Sequence, residues 1–243
     1  MRLIKVKGIV IKEIPYKDND KIVTLLTDEL GKISCMARGA KRTNSPILAN
    51  CQYLVYSEFV LYKGKNFYHI NSATIINMFY DLRVDFDKLE RVFDLTKLLQ
   101  STTDENQDTS KVLKLFLNTI YVIENMDKNR GLVETAFKIK LFSLLGFSPR
   151  VEKCNSCGNL FSKKDENNVR EIVYDYVSNV FLCGICSNGI DKRRCIKINE
   201  STLIAIKYIL LTDIKKIFSF DLKDIDNFVL FGQVYTDAMT NGI

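Results

Sequence analysis

Cysteine supplies the residues best suited to chemistry here. Of seven cysteines, four stand in two close pairs, Cys154-Asn155-Ser156-Cys157 and Cys183-Gly184-Ile185-Cys186. A short C-x2-C loop presents two thiolates on one side, and two such loops facing each other close a tetrahedral four-sulfur cage of the kind that holds Zn²⁺. Such a cage has no open coordination position, so it serves structure rather than catalysis. The spacer, residues 158–182, is 25 residues long, beyond the usual window of about 15–20. The polar run Ser162–Asn168 accounts for the excess as a loop tip, and Arg170–Tyr176 and Val180–Leu182 read as the two strands of a zinc ribbon turning at Ser178-Asn179. Two disulfides or four unconnected thiols are the alternatives. The close spacing within each knuckle and the absence of any sign of an oxidising compartment favour the metal. Cys195 has no partner in sequence and reads as a spare thiol. Cys35 and Cys51 lie in apolar stretches and read as core.

Other chemistry is thinly supported. The single histidine, His69, falls in a predicted strand and reads as a barrel residue. One histidine cannot build an HExxH zinc site, and no nucleophile signature accompanies it. Neither G-x4-G-K-[ST] nor G-x-G-x-x-G occurs, which argues against a nucleotide-driven motor or a dinucleotide enzyme. Asp85/Asp87 and Asp224/Asp226 read as helix-start residues. The chain is therefore expected not to be an enzyme and to have no small-molecule substrate. A nuclease using scattered carboxylates is the remaining enzymatic alternative.

The elements that must position these residues follow from periodicity. In residues 1–80, five β segments are expected. These are the alternating Ile4–Val10 stretch, Lys21–Thr27, Lys32–Arg38, Tyr53–Tyr62 and Phe67–Ile76, with a hairpin turn at Lys63-Gly64-Lys65-Asn66. Five strands with an irregular or helical insert between the third and fourth match an OB-fold barrel, and the count alone also allows an SH3-like barrel. From residue 81 the period becomes helical. One stripe joins Phe86, Leu89, Phe93 and Thr96, with Leu82 and Val92 nearby. A second helix, capped by Ser110, carries Leu113, Phe116, Ile120 and Ile123. A third spans Gly131–Leu145, with Gly146 stopping it, and Ser201–Leu211 and Asp224–Met239 follow the ribbon. The expected class is α+β: an N-terminal five-stranded OB-fold barrel (1–80), then an all-helical domain (81–150 and 199–243) with an inserted four-cysteine zinc ribbon (151–198).

Charge adds a direction. Formal net charge is +6, and residues 1–80 carry twelve Lys and Arg against six Asp and Glu, while the remainder carries twenty-three of each. A confined excess of this kind points to a polyanion, or more plainly to a solvated face. Arg38-Gly39-Ala40-Lys41-Arg42 is the densest basic element. Lys63 and Lys65 flank a hairpin tip, Lys5 and Lys7 share a strand face, and Lys32 opens a strand. These eight cations are the candidate phosphate contacts, with Tyr16, Tyr62, Phe67 and Tyr68 as candidate stacking residues. No apolar run approaches the ~20 residues of a membrane helix, and the start, Met1–Lys7, has no signal-peptide core. A cytoplasmic protein with no membrane partner is expected.

These residues resemble a known family. Gly8-Ile9-Val10-Ile11, Pro15-Tyr16, Asp20-Lys21-Ile22-Val23-Thr24-Leu25, Thr27 and Gly31-Lys32-Ile33-Ser34 follow the pattern of the RecO family of bacterial recombination mediators. The likeness continues through Ala37–Arg42, Leu61–Lys65 and Leu144–Pro149, and is weakest after about residue 190. The resemblance implies binding of single- and double-stranded DNA and annealing of complementary strands. It also implies work with RecR, loading of RecA onto DNA coated by single-stranded-DNA-binding protein, and a nucleoid-associated place in the cell. It implies a structural Zn²⁺ on Cys154, Cys157, Cys183 and Cys186, and Arg38, Lys41 and Arg42 on the DNA side of the barrel. The acidic tail of single-stranded-DNA-binding protein should dock on the helical domain, in a pocket with an apolar floor and a cation at its lip. The rival reading is a helix-and-ribbon protein-interaction module whose barrel charge is incidental.

Overall fold

A computed structural model describes residues 2–65, 67–105, 107–161 and 171–241. Packing groups the chain into two compact units that meet between Met126 and Asp127.

The first unit begins with a closed barrel of β1 (Leu3–Tyr16), β2 (Asp20–Thr27), β3 (Lys32–Ala37), β4 (Tyr56–Lys63) and β5 (Tyr68–Asn77), in the order β1-β2-β3-β5-β4. β1 pairs along its second half with β2 and along its first half with β4, which closes the sheet. β3 and β5 are parallel, and the other neighbours are antiparallel. This order is that of the OB fold, so the SH3-like alternative falls. Alternate residues fill the interior: Val6 and Val10, Val23 and Leu25, Ile33 and Cys35, Phe59 and Leu61, and Ile70. The expected insert between β3 and β4 is a series of turns that sends Ala40, Ile47 and Cys51 into the same core. Gly31, at φ +71°, makes the β2–β3 turn. A Cβ there would stand 2.2 Å from the Gln107 carbonyl oxygen, so only glycine fits.

Three helices complete this unit: α1 (Tyr80–Val84), α2 (Phe86–Thr102) and α3 (Ser110–Asn125). Asp85 caps α2 by accepting from the Lys88 amide. Of the expected stripe, Thr96 is buried with the neighbouring Leu82 and Val92, but the aromatic residues are not. Val92, Leu95, Thr96 and Leu99 are buried, whereas Phe86 is 79% exposed and Phe93 47%. Polar contacts fix the rotation. The Tyr53 hydroxyl donates to Thr96 Oγ1 at 2.9 Å, Gln100 Nε2 donates to the Ile11 carbonyl, and Lys32 Nζ donates to the Gln100 carbonyl. Thr109, not Ser110, occupies the cap position of α3, and its hydroxyl donates to the Thr27 carbonyl of β2 instead. The stripe Leu113, Phe116, Ile120 and Ile123 is buried as expected.

The second unit contains α4 (Arg130–Leu144), β6 (Ile172–Asp175), β7 (Val180–Cys183), α5 (Gly184–Ser187), β8 (Cys195–Ile198), α6 (Glu200–Leu211) and α7 (Asp226–Asn241). α4 ends at Gly146, where φ is +97°. The expected tip Ser162–Asn168, the start of the expected strand at Arg170, and Asn66 of the hairpin turn lie outside the described residues. The ribbon has a third strand that periodicity did not reveal: the sheet order is β7-β6-β8, with Cys195 opposite Asp175. All four residues of β6 are buried. Tyr174 packs edge-on against Phe231 at 5.0 Å, and Phe231 stacks on Tyr235 at 5.4 Å, so the sheet is seated on α7. Lys140 of α4 is buried and donates to the carbonyls of Ile209, Leu210 and Thr212, closing the C-terminus of α6 with a cation where the helix dipole is negative. Among the described residues no helix is long and apolar enough to cross a membrane.

Asp175 ties β6 to β8. Its side chain is 2% exposed and takes both arms of the Arg194 guanidinium, at 2.8 and 2.6 Å, while Arg194 also donates to Ser178. Burial alone would raise the Asp175 pKa, but the Arg194 and Ser178 hydrogen bonds outweigh it and hold the carboxyl below its ordinary value. The depressed value adds stability above the unfolded pKa of about 3.9 and withdraws it as pH falls through the folded value. We expect Asp175→Asn to destabilise the second unit by about 3 kcal/mol, the low end for a broken buried pair because Arg194 keeps partial solvent contact. Denaturant midpoints should show this loss at pH 7 and a smaller difference from the parent near pH 3. Equal differences at both would dismiss the pair as a source of stability.

Candidate metal centre and nucleic-acid interface

The two knuckles meet. The sulfurs of Cys154, Cys157, Cys183 and Cys186 all lie within 4.8 Å of one another, the only such group among the described residues. Backbone geometry builds the site. The Gly158 amide bonds the Cys154 carbonyl at 2.9 Å with Gly158 at φ +75°, and the Asn155 amide reaches the Phe181 carbonyl of β7. The second pair straddles the step from β7 into α5. Cys157 and Cys183 Sγ are 3.9 Å apart. A tetrahedron with metal–sulfur bonds of about 2.3 Å has sulfur–sulfur edges of roughly 3.8 Å, so the set fits one metal ion. Burial would raise the Cys154 thiol, but the amides of Cys157, Cys183 and Ser156 donate to it and bring it down to about 6. At Cys186 the Ser156 hydroxyl lowers the pKa, and the other three cysteines together push it up to about 11. Four thiolates at this spacing repel one another and require a cation to ionise together.

The candidate basic residues of the barrel fall in four places. Arg38, Lys41 and Arg42 are exposed on the turn after β3. That turn is stitched to the β1–β2 turn: Gly39 N donates to Asp20 Oδ1 at 2.8 Å and Lys41 N to the Asn19 carbonyl at 3.0 Å. Lys17, held at φ +51° in the β1–β2 turn, thereby joins the ridge. Sequence reading missed it because its neighbours Asp18 and Asp20 mask the charge. Lys63 and Lys65 are exposed on the β4–β5 hairpin, where with Ser34, Phe67 and Tyr68 they line a cleft of about 240 Å³. Lys5 and Lys7 lie on the β1–β4 seam, and Lys5 forms an ion pair with Glu58 at 3.4 Å. Lys32 is directed at the end of α2 through the Gln100 carbonyl.

Register links the first two places. Ile14 opposes Ile22, Ile22 opposes Met36, Met36 opposes His69, and His69 opposes Tyr62. Directly opposed residues share a face, and their neighbours Val23, Cys35 and Leu61 point into the core, so this row faces outward. It crosses β1-β2-β3-β5-β4 with the Arg38–Arg42 ridge toward one end of β3 and the Lys63/Lys65 hairpin toward the other. Tyr62 and His69 stack at 4.9 Å and 10° between planes, and His69 Nδ1 is buried without a hydrogen-bond partner. Gly64 lets the hairpin lie over the imidazole, since a Cβ would come within 2.5 Å of His69 Nε2. Of the other candidate stacking residues, Tyr16 is partly exposed with Lys17 over its ring, and Tyr68 packs on the barrel core.

Comparison with known proteins fits this architecture. The family profile described as "Recombination protein O N terminal" matches residues 1–79, and "Recombination protein O C terminal" matches residues 83–226. A DNA repair protein RecO of Acetivibrio thermocellus is 34% identical over 224 residues, covering 92% of this chain and 86% of the relative. Those of Caldicellulosiruptor saccharolyticus and Caldicellulosiruptor bescii are each 32% identical, covering 89% and 94% of this chain and 84% and 98% of the relatives. The barrel, the helices and nearly the full length of the chain therefore place it in the recombination protein O (RecO) family of DNA repair proteins.

Proposed function

We propose that the chain is a non-enzymatic recombination mediator. It binds single- and double-stranded DNA, anneals complementary strands and, with RecR, helps load RecA onto DNA coated by single-stranded-DNA-binding protein. The observation that carries this reading is the outward row Ile14–Ile22–Met36–His69–Tyr62 lying between two groups of exposed cations. Single strands are held by that combination of phosphate neutralisation and base stacking. Strands 2 and 3 and the loops flanking them form the ligand face of OB folds generally. Annealing needs neutralised backbones and free base edges, and no catalytic group. On this reading residues 1–80 hold DNA, the helical residues 81–150 and 199–243 with the ribbon 151–198 serve partners, and the protein works in the cytoplasm at the nucleoid.

Two further assignments belong to this reading. The ion held by Cys154, Cys157, Cys183 and Cys186 is Zn²⁺, because an all-thiolate tetrahedral set matches its softness and geometry. It braces the knuckles and takes no part in a reaction. The acidic tail of single-stranded-DNA-binding protein docks in a cleft of about 300 Å³ in the second unit, where Pro149, Val151, Leu210 and Leu211 supply apolar walls and Arg150, Lys153 and Lys207 supply cations. A carboxylate-rich tail with apolar side chains is complementary to that cleft.

Annealing of complementary strands coated by single-stranded-DNA-binding protein, followed by fluorescence without nucleotide, should proceed with this protein. Reversing Arg38, Lys41 and Arg42 to Glu should weaken oligonucleotide binding and reduce the slope of log affinity against log salt by about two to three. Unchanged affinity in the folded variant would remove the ridge from the site. Metal analysis should find about one zinc per chain, lost when Cys154 and Cys183 are both replaced by Ser. Four freely titrating thiols in the parent would contradict the cage. Lys153→Glu with Lys207→Glu should weaken binding of the tail peptide about tenfold and leave oligonucleotide affinity intact.

A further inference from the structure

The cleft between Ser148–Lys153 and the end of α6 has one wall that is electrostatically wrong for an acidic tail. Lys207, Leu210 and Leu211 line it from the last turns of α6. A helix C-terminus carries about half a negative charge, on carbonyls that have no intrahelical partner. In α6 the Thr212 amide takes the Tyr208 carbonyl at 2.9 Å. The Ile209 and Leu210 carbonyls lie beyond that last bond, at the cleft. Left bare, they would repel carboxylates.

Lys140 of α4 meets those carbonyls. It is 7% exposed, the one buried lysine among the described residues. Its Nζ donates to the carbonyls of Ile209 at 3.0 Å, Leu210 at 3.1 Å and Thr212 at 2.8 Å. Three acceptors use three N–H groups, and only the ammonium form has three. Burial lowers the Lys140 pKa, and nearby Asp213 opposes that shift. Asp213 also accepts from the Lys215 amide. Packing alone does not place this wall. Ile209 is fully buried, Leu210 half-buried and Leu211 81% exposed, so burial runs out where the leucines of the cleft begin. α4 itself continues through Gly146 into Ser148–Lys153, the facing wall. One side chain on α4 thus joins the two walls.

We propose that Lys140 is a positioning residue for this cleft. It holds the end of α6 at its distance from Ser148–Lys153, and its charge cancels the helix terminus so that the cleft accepts carboxylates. It acts through the wall and does not touch the tail, whereas Lys153 and Lys207 stand in the cleft itself. The inference rests on the tail docking proposed above and adds to it the group that makes an anionic ligand acceptable there.

The test uses the full chain and two peptides, read by fluorescence anisotropy. One is the tail of single-stranded-DNA-binding protein, and the other is a copy with each Asp and Glu replaced by Asn or Gln. Lys140→Gln keeps an amide donor and removes the charge. It should weaken the acidic peptide about tenfold and the neutral copy less than about twofold, the scale of a partly buried charge at a helix end. A second measurement needs no variant. In nitrogen-15 spectra of the parent, the lysine ammonium protected from exchange should shift when the acidic peptide is added and stay in place with the neutral copy. Equal weakening of both peptides would leave Lys140 a purely structural role and overturn the proposal. An ammonium signal indifferent to peptide charge would do so as well. Failure of the parent to bind the acidic peptide at all would remove the docking reading, and this inference with it.

Discussion

The barrel closes through a seam of only two residue pairs, Cys35 with Tyr68 and Met36 with His69, where β3 and β5 run parallel. Everything proposed for the nucleic-acid face rests on that seam. A parallel neighbour cannot be reached by a hairpin, so the chain must first leave β3, cross, and build β4. The crossing segment does this while sending Ile47 and Cys51 into the barrel, so the connection is also part of the core. The same crossing begins with Arg38, Lys41 and Arg42. The topology therefore puts a basic turn at one end of β3, and the seam lays the β4–β5 hairpin with its two lysines alongside the other end. One register sets both, and it brings His69 and Tyr62 into the row between them.

Formal charge overstates how much cation is available. In the ribbon the run Lys192-Arg193-Arg194 looks like a second basic patch. Arg193 is instead bound to Asp191, Arg194 to Asp175, and Lys197 to Glu171. Lys140 and Lys32 are spent on helix ends. The exposed pairs Arg193–Asp191 and Lys197–Glu171 contribute little to stability, yet every one of these pairings removes a cation from long-range attraction. The residues after 80 are balanced in number, and these pairings make much of that region locally neutral as well. The cations of the Arg38–Arg42 turn and of the hairpin tip are solvent-exposed, which is what phosphate neutralisation requires.

Much of this was legible in the sequence, for physical reasons that also explain what was not. Two C-x2-C knuckles encode their own geometry, because a loop of that length fixes two sulfurs on one side. The barrel strands were legible because one face of each is buried and the alternation survives. β8 was not: its four residues, Cys195–Ile198, alternate too briefly, and its place is set by the Arg194–Asp175 pair, which is non-local. The face of α2 was misread at Phe86 and Phe93, because their aromatic rings outweigh Leu95 and Leu99 in any apolar count. Three polar contacts to the barrel, unreadable from periodicity, decide the rotation. Helices α2 and α3 are tied to the barrel unit by the same kind of contact, through Thr109, Gln100 and Tyr53. Lys17 and the Tyr62–His69 stack depend on strand register, which no local window contains.

The ribbon shows how a metal site and a hydrophobic core divide the work of holding one element. On its inner side Tyr174 and Phe181 are fully buried against Phe231 of α7. Each such ring contributes about 1.5–3 kcal/mol by leaving water, so β6 and β7 have a core of their own. The knuckle side has no such resource. Residues 155–160 are exposed, and Cys154 is the one buried residue of the first knuckle. Its order rests on a few backbone hydrogen bonds and on whatever joins the four sulfurs. A metal ion on these sulfurs would therefore act where packing runs out, and its loss would loosen the knuckles while leaving the sheet on α7. On the proposed reading, an ion at the solvent edge of this well-packed unit would order the segment that packing does not reach.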